Sequence, residues 1–224
     1  ELAELKKLAG ANLESALSAA EADYLGVWEV GQGNANALLD DAFRATAWFD
    51  VGCGVYRNAW TRPANLEFCW GDPGAGIVLS HWDADHWAGA QVATPTGATP
   101  ALGRTWIVPV QKVTTVHLTF ASAVAASGRM LGLRASSVVV SIGAGRQVKL
   151  ELGKGSSRNH SGIVMLVENE VVHDGRVRKT ARTASAAGYE TTVVGIAARG
   201  YEGGTSTFDG LALWRVESVA QQRI

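Results

Sequence analysis

Short apolar runs separated by turn residues follow one another through the chain, and this rhythm constrains the fold more than any other feature. Residues 24–30, 36–39 and 45–52 read YLGVWEV, NALL and ATAWFDVG, with a GQG segment after the first run. Runs of this length between glycines and other turn residues predict β-strands. The pair Asp40 and Asp41 separates the second run from the third and predicts a hairpin turn.

The remaining periodic segments predict more strands and two helices. Leucines recur at helical spacing over residues 1–20, and apolar residues from Val116 to Met130 predict a second helix over 114–131 that Gly132 ends. Further strand-like runs are GIVLS (76–80), TWIVPV (105–110), SSVVVSIGAG (136–145), QVKLEL (147–152) and GIVMLVE (162–168). The pattern predicts an α/β protein with a helix over 1–20 and a single domain over 21–224.

Composition excludes some classes of function. The 20 basic and 21 acidic residues nearly cancel, so no strong overall field attracts nucleic acid or an anionic membrane. A basic cluster at residues 176–182 is interpreted as a solvated strand or loop face. The two cysteines do not make a disulfide framework, which favours a cytoplasmic protein. No run of about 18 apolar residues is present, so we expect no membrane partner.

The segment HWDADH directly follows the apolar run GIVLS and contains four residues of the types that bind metals. These are His81, Asp83, Asp85 and His86. Alternate residues of an extended chain point the same way, so the first three can share one face and a turn brings His86 to it. A mixed nitrogen and oxygen set suits Zn²⁺, Mn²⁺ or Fe. The other interpretation is a polar surface loop with its histidines packed on tryptophans.

Three motifs in this order resemble a known superfamily. LSHWDADHWAG at 79–89 resembles the HxDxDH variant of the HxHxDH signature of the metallo-β-lactamase fold. VWEVGQGNANALL at 27–39 and WFDVGCG at 48–54 are similar to the strand-loop and Asp-x-Gly turn that precede this signature, especially in the metallo-β-lactamase-like domain of DNA-uptake competence proteins and its stand-alone relatives. The resemblance implies an αββα sandwich, in which two mixed β-sheets are flanked by helices.

The resemblance also implies roles for individual residues. His81 and Asp83 would bind a first metal ion, Asp85 and His86 a second, and Asp85 would also hold the attacking water. The site would use one or two Zn²⁺ or Mn²⁺ ions, with metal-bound hydroxide attacking a phosphodiester or related ester of a small molecule or a nucleic acid. Asp50 would orient the loop. Gly31, Gly33, Gly52 and Gly54 would lie where turns need positive φ or a close approach.

The second half of the motif pattern is weaker. RNHSGIVMLVE at 158–168 resembles an Asn-rich element of related domains, which makes His160 the candidate third ligand. TASAAGYE at 183–190 stands where the family has a bridging Asp, with Ser185 or Ala186 at that position, and no histidine follows His173. The C-terminal part is thus incomplete or divergent relative to the family, and the alternative function is a catalytically impaired or non-catalytic relative. His117 is interpreted as structural and His173 as exposed.

Overall fold

A computed structural model of the chain describes two compact units, residues 1–166 and 167–224. The described residues are 16, 17, 20, 22–71, 74–142, 147–167, 182, 186, 192–196, 204–208 and 211–216. Most of the helix expected over residues 1–20 lies outside them, although residues 16 and 17 are helical. His173 and Ser185 also lie outside them, as does the basic cluster apart from Arg182. The single domain expected over 21–224 stays a prediction.

A six-stranded mixed sheet forms the centre of the first unit and confirms the α/β class. Its strands stand in chain order from β1 to β6. They are β1 (Tyr24–Val27), β2 (Ala35–Leu39), β3 (Ala45–Val51), β4 (Gly76–Val78), β5 (Thr105–Pro109) and β6 (Arg129–Leu133). The first three strands pair antiparallel, and β3 to β6 pair parallel. The carboxyl ends of β3 and β4 therefore lie side by side at one edge of the sheet.

The turn between β2 and β3 is built by Asp40, as the Asp pair predicts. Asp40 Oδ1 accepts hydrogen bonds from the backbone N–H groups of Ala42 and Arg44, at 3.0 and 2.8 Å. The backbone N–H of Arg44 is the main cause that holds the pKa of Asp40 below its usual value. A short polar side chain that accepts from the residues after it is the usual device of such turns.

Parallel neighbours cannot be joined by a tight turn, so each connection from β3 to β6 crosses over the sheet. Helix α1 (Thr115–Ser127) makes the last crossover. The earlier crossovers contain only 3₁₀ helices, at Tyr56–Thr61, Ala84–His86, Ala88–Gln91 and Pro100–Gly103. Phe120 of α1 packs edge-on against Trp106 of β5 at a ring-centroid distance of 5.1 Å. Both side chains are buried, so α1 closes one part of the core.

The helix expected to run to residue 131 ends earlier, at Ser127. The backbone N–H of Gly128 bonds to Val124 O at 2.7 Å. Met130 and Gly132 instead lie in β6, where Met130 pairs with Trp106. The prediction was wrong because a short apolar run satisfies helix and strand spacing equally, and the glycine that ends the helix is the earlier of the two.

Two smaller sheets complete the described structure. In the first, β7 (Ser137–Ser141) pairs antiparallel with β8 (Gln147–Leu152), and β9 (Ile163–Val167) lies on the other side of β8. In the second unit, β10 (Thr192–Ile196) pairs parallel with β12 (Leu211–Val216), which pairs antiparallel with β11 (Gly204–Phe208). These three strands form in a stretch whose sequence predicts few strands. Within the described residues, no helix has the length and apolarity needed to cross a membrane.

Candidate functional site

The four candidate ligands follow the end of β4. The last residues of this apolar run, Leu79 and Ser80, are buried. The HWDADH loop (residues 81–86) begins immediately after them and ends in a one-turn 3₁₀ helix, Ala84–His86. Residues that bind ligands often follow the carboxyl ends of parallel strands. The HWDADH loop follows such an end.

Asp50 fastens the HWDADH loop to the end of β3. Its side chain is fully buried, and Oδ1 accepts the backbone N–H of Ser80 at 2.6 Å. Oδ2 accepts from Ser80 Oγ at 2.7 Å and from Asn34 Nδ2 at 3.0 Å. Asp50 also has a φ of 59°, a left-handed conformation that Asp and Asn tolerate better than most residues. The contact with the loop expected of Asp50 is thus present.

His86 is the fourth partner of Asp50. Its Nδ1 lies 2.7 Å from Asp50 Oδ2, so this nitrogen carries a hydrogen and donates it. Burial alone would lower the pKa of His86, but the hydrogen bond and charge of Asp50, with the charges of Asp85 and Asp83, raise it above the ordinary value. A histidine that donates Nδ1–H to a carboxylate has its orientation fixed and presents Nε2 outward.

His81 has its tautomer set by Ser80. The one hydroxyl hydrogen of Ser80 is donated to Asp50, so His81 Nδ1, 3.0 Å from Ser80 Oγ, has to be the donor in that contact. Burial, followed by the charge of His86, lowers the pKa of His81 and favours the neutral ring. Its lone pair therefore lies on Nε2, which is 3.4 Å from Asp83 Oδ2.

This contact tests whether the site fits a metal ion. Two ligands at about 2.0–2.2 Å from a tetrahedral ion lie about 3.4 Å from each other, which matches the separation of His81 Nε2 and Asp83 Oδ2, 3.4 Å. The pair thus fits two ligands of one ion. The rings of His81 and His86 also lie close, with centroids 3.9 Å apart. Among the described residues, however, no three His, Cys, Asp or Glu side chains are arranged as a metal-binding group.

Asp85 is held through its backbone. Its carbonyl oxygen accepts the N–H of Asn34 at 3.3 Å and touches the backbone at Gly33 and Gly52, where a Cβ would overlap it. Its charge acts on both His81 and His86. The close approaches expected of the glycines are confirmed, since Gly33 has a φ of 134° and Gly52 admits no side chain.

His160 forms no metal-binding group with the other candidate ligands among the described residues. It lies in the turn before β9, is exposed, and has its Cβ against Gly155. Within the described residues its ring forms no ion pair or hydrogen bond with His81 or Asp83. The turn itself does reach the site, since the N–H of Ile163 bonds to Ser80 O at 2.6 Å. Its role as a third ligand stays a prediction.

Arg158 reaches the site from that same turn and was missed by sequence reasoning. Its Nη2 lies 3.1 Å from Asp83 Oδ1, and its Nη1 lies 3.2 Å from His117 Nε2. Gln111 Nε2 donates to the carbonyl of Arg158 at 2.7 Å and to Ser161 Oγ at 2.9 Å, which fixes the turn. No sequence signal singles out this arginine, because its partner is 75 positions away, from 83 to 158.

Trp82, Trp87 and His117 make structural contacts. Trp82 and Trp87 are buried; Trp82 Nε1 donates to Pro109 O at 2.9 Å, and Trp87 stacks on Phe120 at 4.4 Å. They cover the core and anchor the HWDADH loop, rather than line a cleft. His117 caps α1, where its Nδ1 accepts the backbone N–H of Thr114 at 2.9 Å. The structural interpretation of His117 is confirmed.

The basis for assigning a function is the geometry of this site. No protein-family model, curated protein or solved structure matches the chain. The residues that carry an assignment are therefore those that the structure brings together at the ends of β3 and β4: Asp50, His81, Asp83, Asp85 and His86.

Proposed function

We propose that the protein is a metal-dependent hydrolase of a phosphodiester or related phosphoester, with its active site at the HWDADH loop. The observation that carries this proposal is the contact of His81 Nε2 with Asp83 Oδ2 at 3.4 Å. A proton on Nε2 or a cation between the two atoms makes this contact favourable, and the Nδ1 contact with Ser80 leaves Nε2 free for either one. The pair is therefore suited to hold a divalent ion.

The proposal includes the fold that the motifs resemble. In an αββα sandwich of the metallo-β-lactamase type, the six-stranded sheet and the β7–β9 sheet would be the two central layers. Helix α1 packs on the first of these sheets through Phe120. The phosphoester substrate, a small molecule or a nucleic acid, rests on the resemblance of the motifs to DNA-uptake nuclease domains.

A Zn²⁺ or Mn²⁺ ion in such a site acidifies a water molecule and polarises the phosphoryl oxygen. The protein's own residues prepare the rest. Asp50 fixes the ring of His86 through a 2.7 Å hydrogen bond, and Ser80 fixes the ring of His81 at 3.0 Å. Asp85 adds a carboxylate whose charge reaches both rings. We assign Asp85 to orient the attacking water and to accept its proton.

Metal content and turnover of the purified chain test the proposal together. We expect bound Mn²⁺ or Zn²⁺ after reconstitution and hydrolysis of a chromogenic phosphodiester that is lost in a chelator. Asp85→Ala should reduce turnover at least about tenfold. Asp41→Ala is the matched control, because Asp41 is an exposed carboxylate in the β2–β3 turn, at the other end of β3. Equal turnover of the Asp85 and Asp41 variants would refute the role of Asp85.

A non-catalytic relative of the same superfamily is the second candidate. It is favoured by one observation, namely that among the described residues no third carboxylate, thiolate or imidazole completes a metal-binding group with His81 and Asp83. This candidate predicts bound metal without turnover of any phosphoester. Absence of bound metal after reconstitution would refute both candidates.

A further inference from the structure

A positive charge already contacts the carboxylate that the proposed metal would use. Arg158 Nη2 lies 3.1 Å from Asp83 Oδ1, while Asp83 Oδ2 faces His81 Nε2 at 3.4 Å. The two oxygens of Asp83 are thus directed at two different groups. A guanidinium on one oxygen withdraws negative charge from the other, and it repels any cation bound there.

The turn that carries Arg158 is held in place by hydrogen bonds. Its backbone carbonyl accepts the amide of Gln111 at 2.7 Å, and the N–H of Ser161 bonds to Ser157 O at 2.9 Å within the same turn. These contacts fix the turn that carries Arg158, and its guanidinium meets Asp83 where the two side chains are 40% and 31% exposed.

We propose that Arg158 is the resident cation of Asp83 and sets the metal affinity of the His81–Asp83 pair at a low value. The inference rests on the proposed metal site and deepens it, because it states which residue controls occupancy. A hydrogen bond that only oriented Asp83 would strengthen metal binding. The full charge of a guanidinium does the opposite, since it lies about 6 Å from a cation on Oδ2.

The size of the effect follows from Coulomb's law. Repulsion between the guanidinium and a divalent ion about 6 Å away, in partly solvated surroundings, weakens the binding constant of the ion by about ten- to hundredfold. Removal of the arginine charge should therefore tighten the binding of Mn²⁺ or Zn²⁺ by that factor. Arg158→Lys should bind metal nearly as weakly as the original chain, because it keeps the charge.

Isothermal titration calorimetry of the full chain with Mn²⁺ and with Zn²⁺, after removal of metal by a chelator, tests this inference. We expect Arg158→Met and Arg158→Gln to bind the first ion about ten- to hundredfold more tightly. Lys154→Met is the matched control, because Lys154 is an exposed cation of the same loop, and we expect less than about a threefold change. Asp83→Asn in the Arg158→Met background should abolish the gain.

Unchanged or weaker metal binding by both Arg158→Met and Arg158→Gln would overturn the inference. Circular dichroism of each variant identifies a folding defect, and two replacements of different shape make it improbable that both unfold. Tighter binding without turnover by any variant would support the inference and refute the hydrolase proposal. Turnover by the original chain, with unchanged affinity in the Arg158 variants, would refute the inference alone.

Discussion

Substitution of Asp50 should show how strongly one buried carboxylate holds the HWDADH loop. Asp50 accepts from Ser80 N, Ser80 Oγ, Asn34 Nδ2 and His86 Nδ1 at 2.6 to 3.0 Å. In Asp50→Ala these donors lose their acceptor. The backbone N–H of Ser80 is buried and has no replacement, whereas Asn34 and His86 are partly exposed and can bind water.

The loss of unfolding free energy in Asp50→Ala is estimated from these hydrogen-bond partners. One buried donor left without an acceptor costs about 1–3 kcal/mol, and the weaker losses add to it, so we expect Asp50→Ala to lower the free energy of unfolding by about 3–4 kcal/mol. Asp50→Asn keeps one acceptor oxygen and the shape, and should cost about 1–2 kcal/mol at pH 9. Urea denaturation with a chelator present measures both values.

The cost of Asp50→Asn should also depend on pH. The pKa of His86 is raised in the folded chain above its ordinary value of 6.5, so its stabilisation is fully present below pH 6.5 and is lost as the pH rises through the folded pKa. A charge-assisted bond is roughly twice as strong as a neutral one, so the cost at pH 5.5 should be roughly twice that at pH 9.

A His86→Gln background provides the control for this pH dependence. There the cost of Asp50→Asn should be the same at both pH values, because the titrating partner has been removed. The reasoning is refuted if the cost with His86 present is also equal at pH 5.5 and pH 9, or if Asp50→Ala costs less than about 1 kcal/mol.

Three further predictions concern the frame around the site. Gly52→Ala should lower the free energy of unfolding by about 2–3 kcal/mol, because the new methyl group overlaps the backbone of the HWDADH loop. Gly97→Ala, in open space at a φ of 81°, should lower it by about 1 kcal/mol, and thermal unfolding compares the two variants. A thiol reagent should label exposed Cys69 rapidly in the folded chain and buried Cys53 only after unfolding, since burial also raises the pKa of Cys53; fast labelling of both would contradict the burial. His117→Ala should lower the free energy of unfolding by about 1 kcal/mol at pH 8, through loss of the helix cap, and by less at pH 5. Burial and Arg158 lower the pKa of His117, so its stabilisation is present above pH 6.5 and is lost as the pH falls. A loss that grows toward pH 5 would contradict this.

Strands β1 to β5 of the six-stranded sheet could be predicted because their pattern is local. ATAWFDV is apolar along nearly its whole length, as a strand buried on both faces must be, and it forms β3 between two neighbours. The Asp pair predicted the hairpin because the turn bonds lie within five residues, Asp40 to Arg44. β6 was missed and the helix was predicted too long because Met130 fits either period.

The site was predictable only as far as its residues are neighbours in sequence. His81, Asp83, Asp85 and His86 fall together in one motif, and the Asp-x-Gly turn pointed to Asp50. Arg158 could not be found because its contact with Asp83 depends on where the turn before β9 reaches the sheet. The role of His160 could not be settled from sequence for the same reason. The side chain of that turn that contacts Asp83 belongs to Arg158, two residues before His160.

The way the backbone carbonyl of Asp85 is enclosed has a consequence for protein engineering. Asn34, Gly33 and Gly52 contact that carbonyl from two other segments of the chain, so the path of the HWDADH loop is set by its length and by its neighbours more than by its own side chains. Libraries that randomise residues 83–85 at constant length, with the buried Trp82 retained, should yield many folded variants. Libraries that insert or delete even one residue there should yield few.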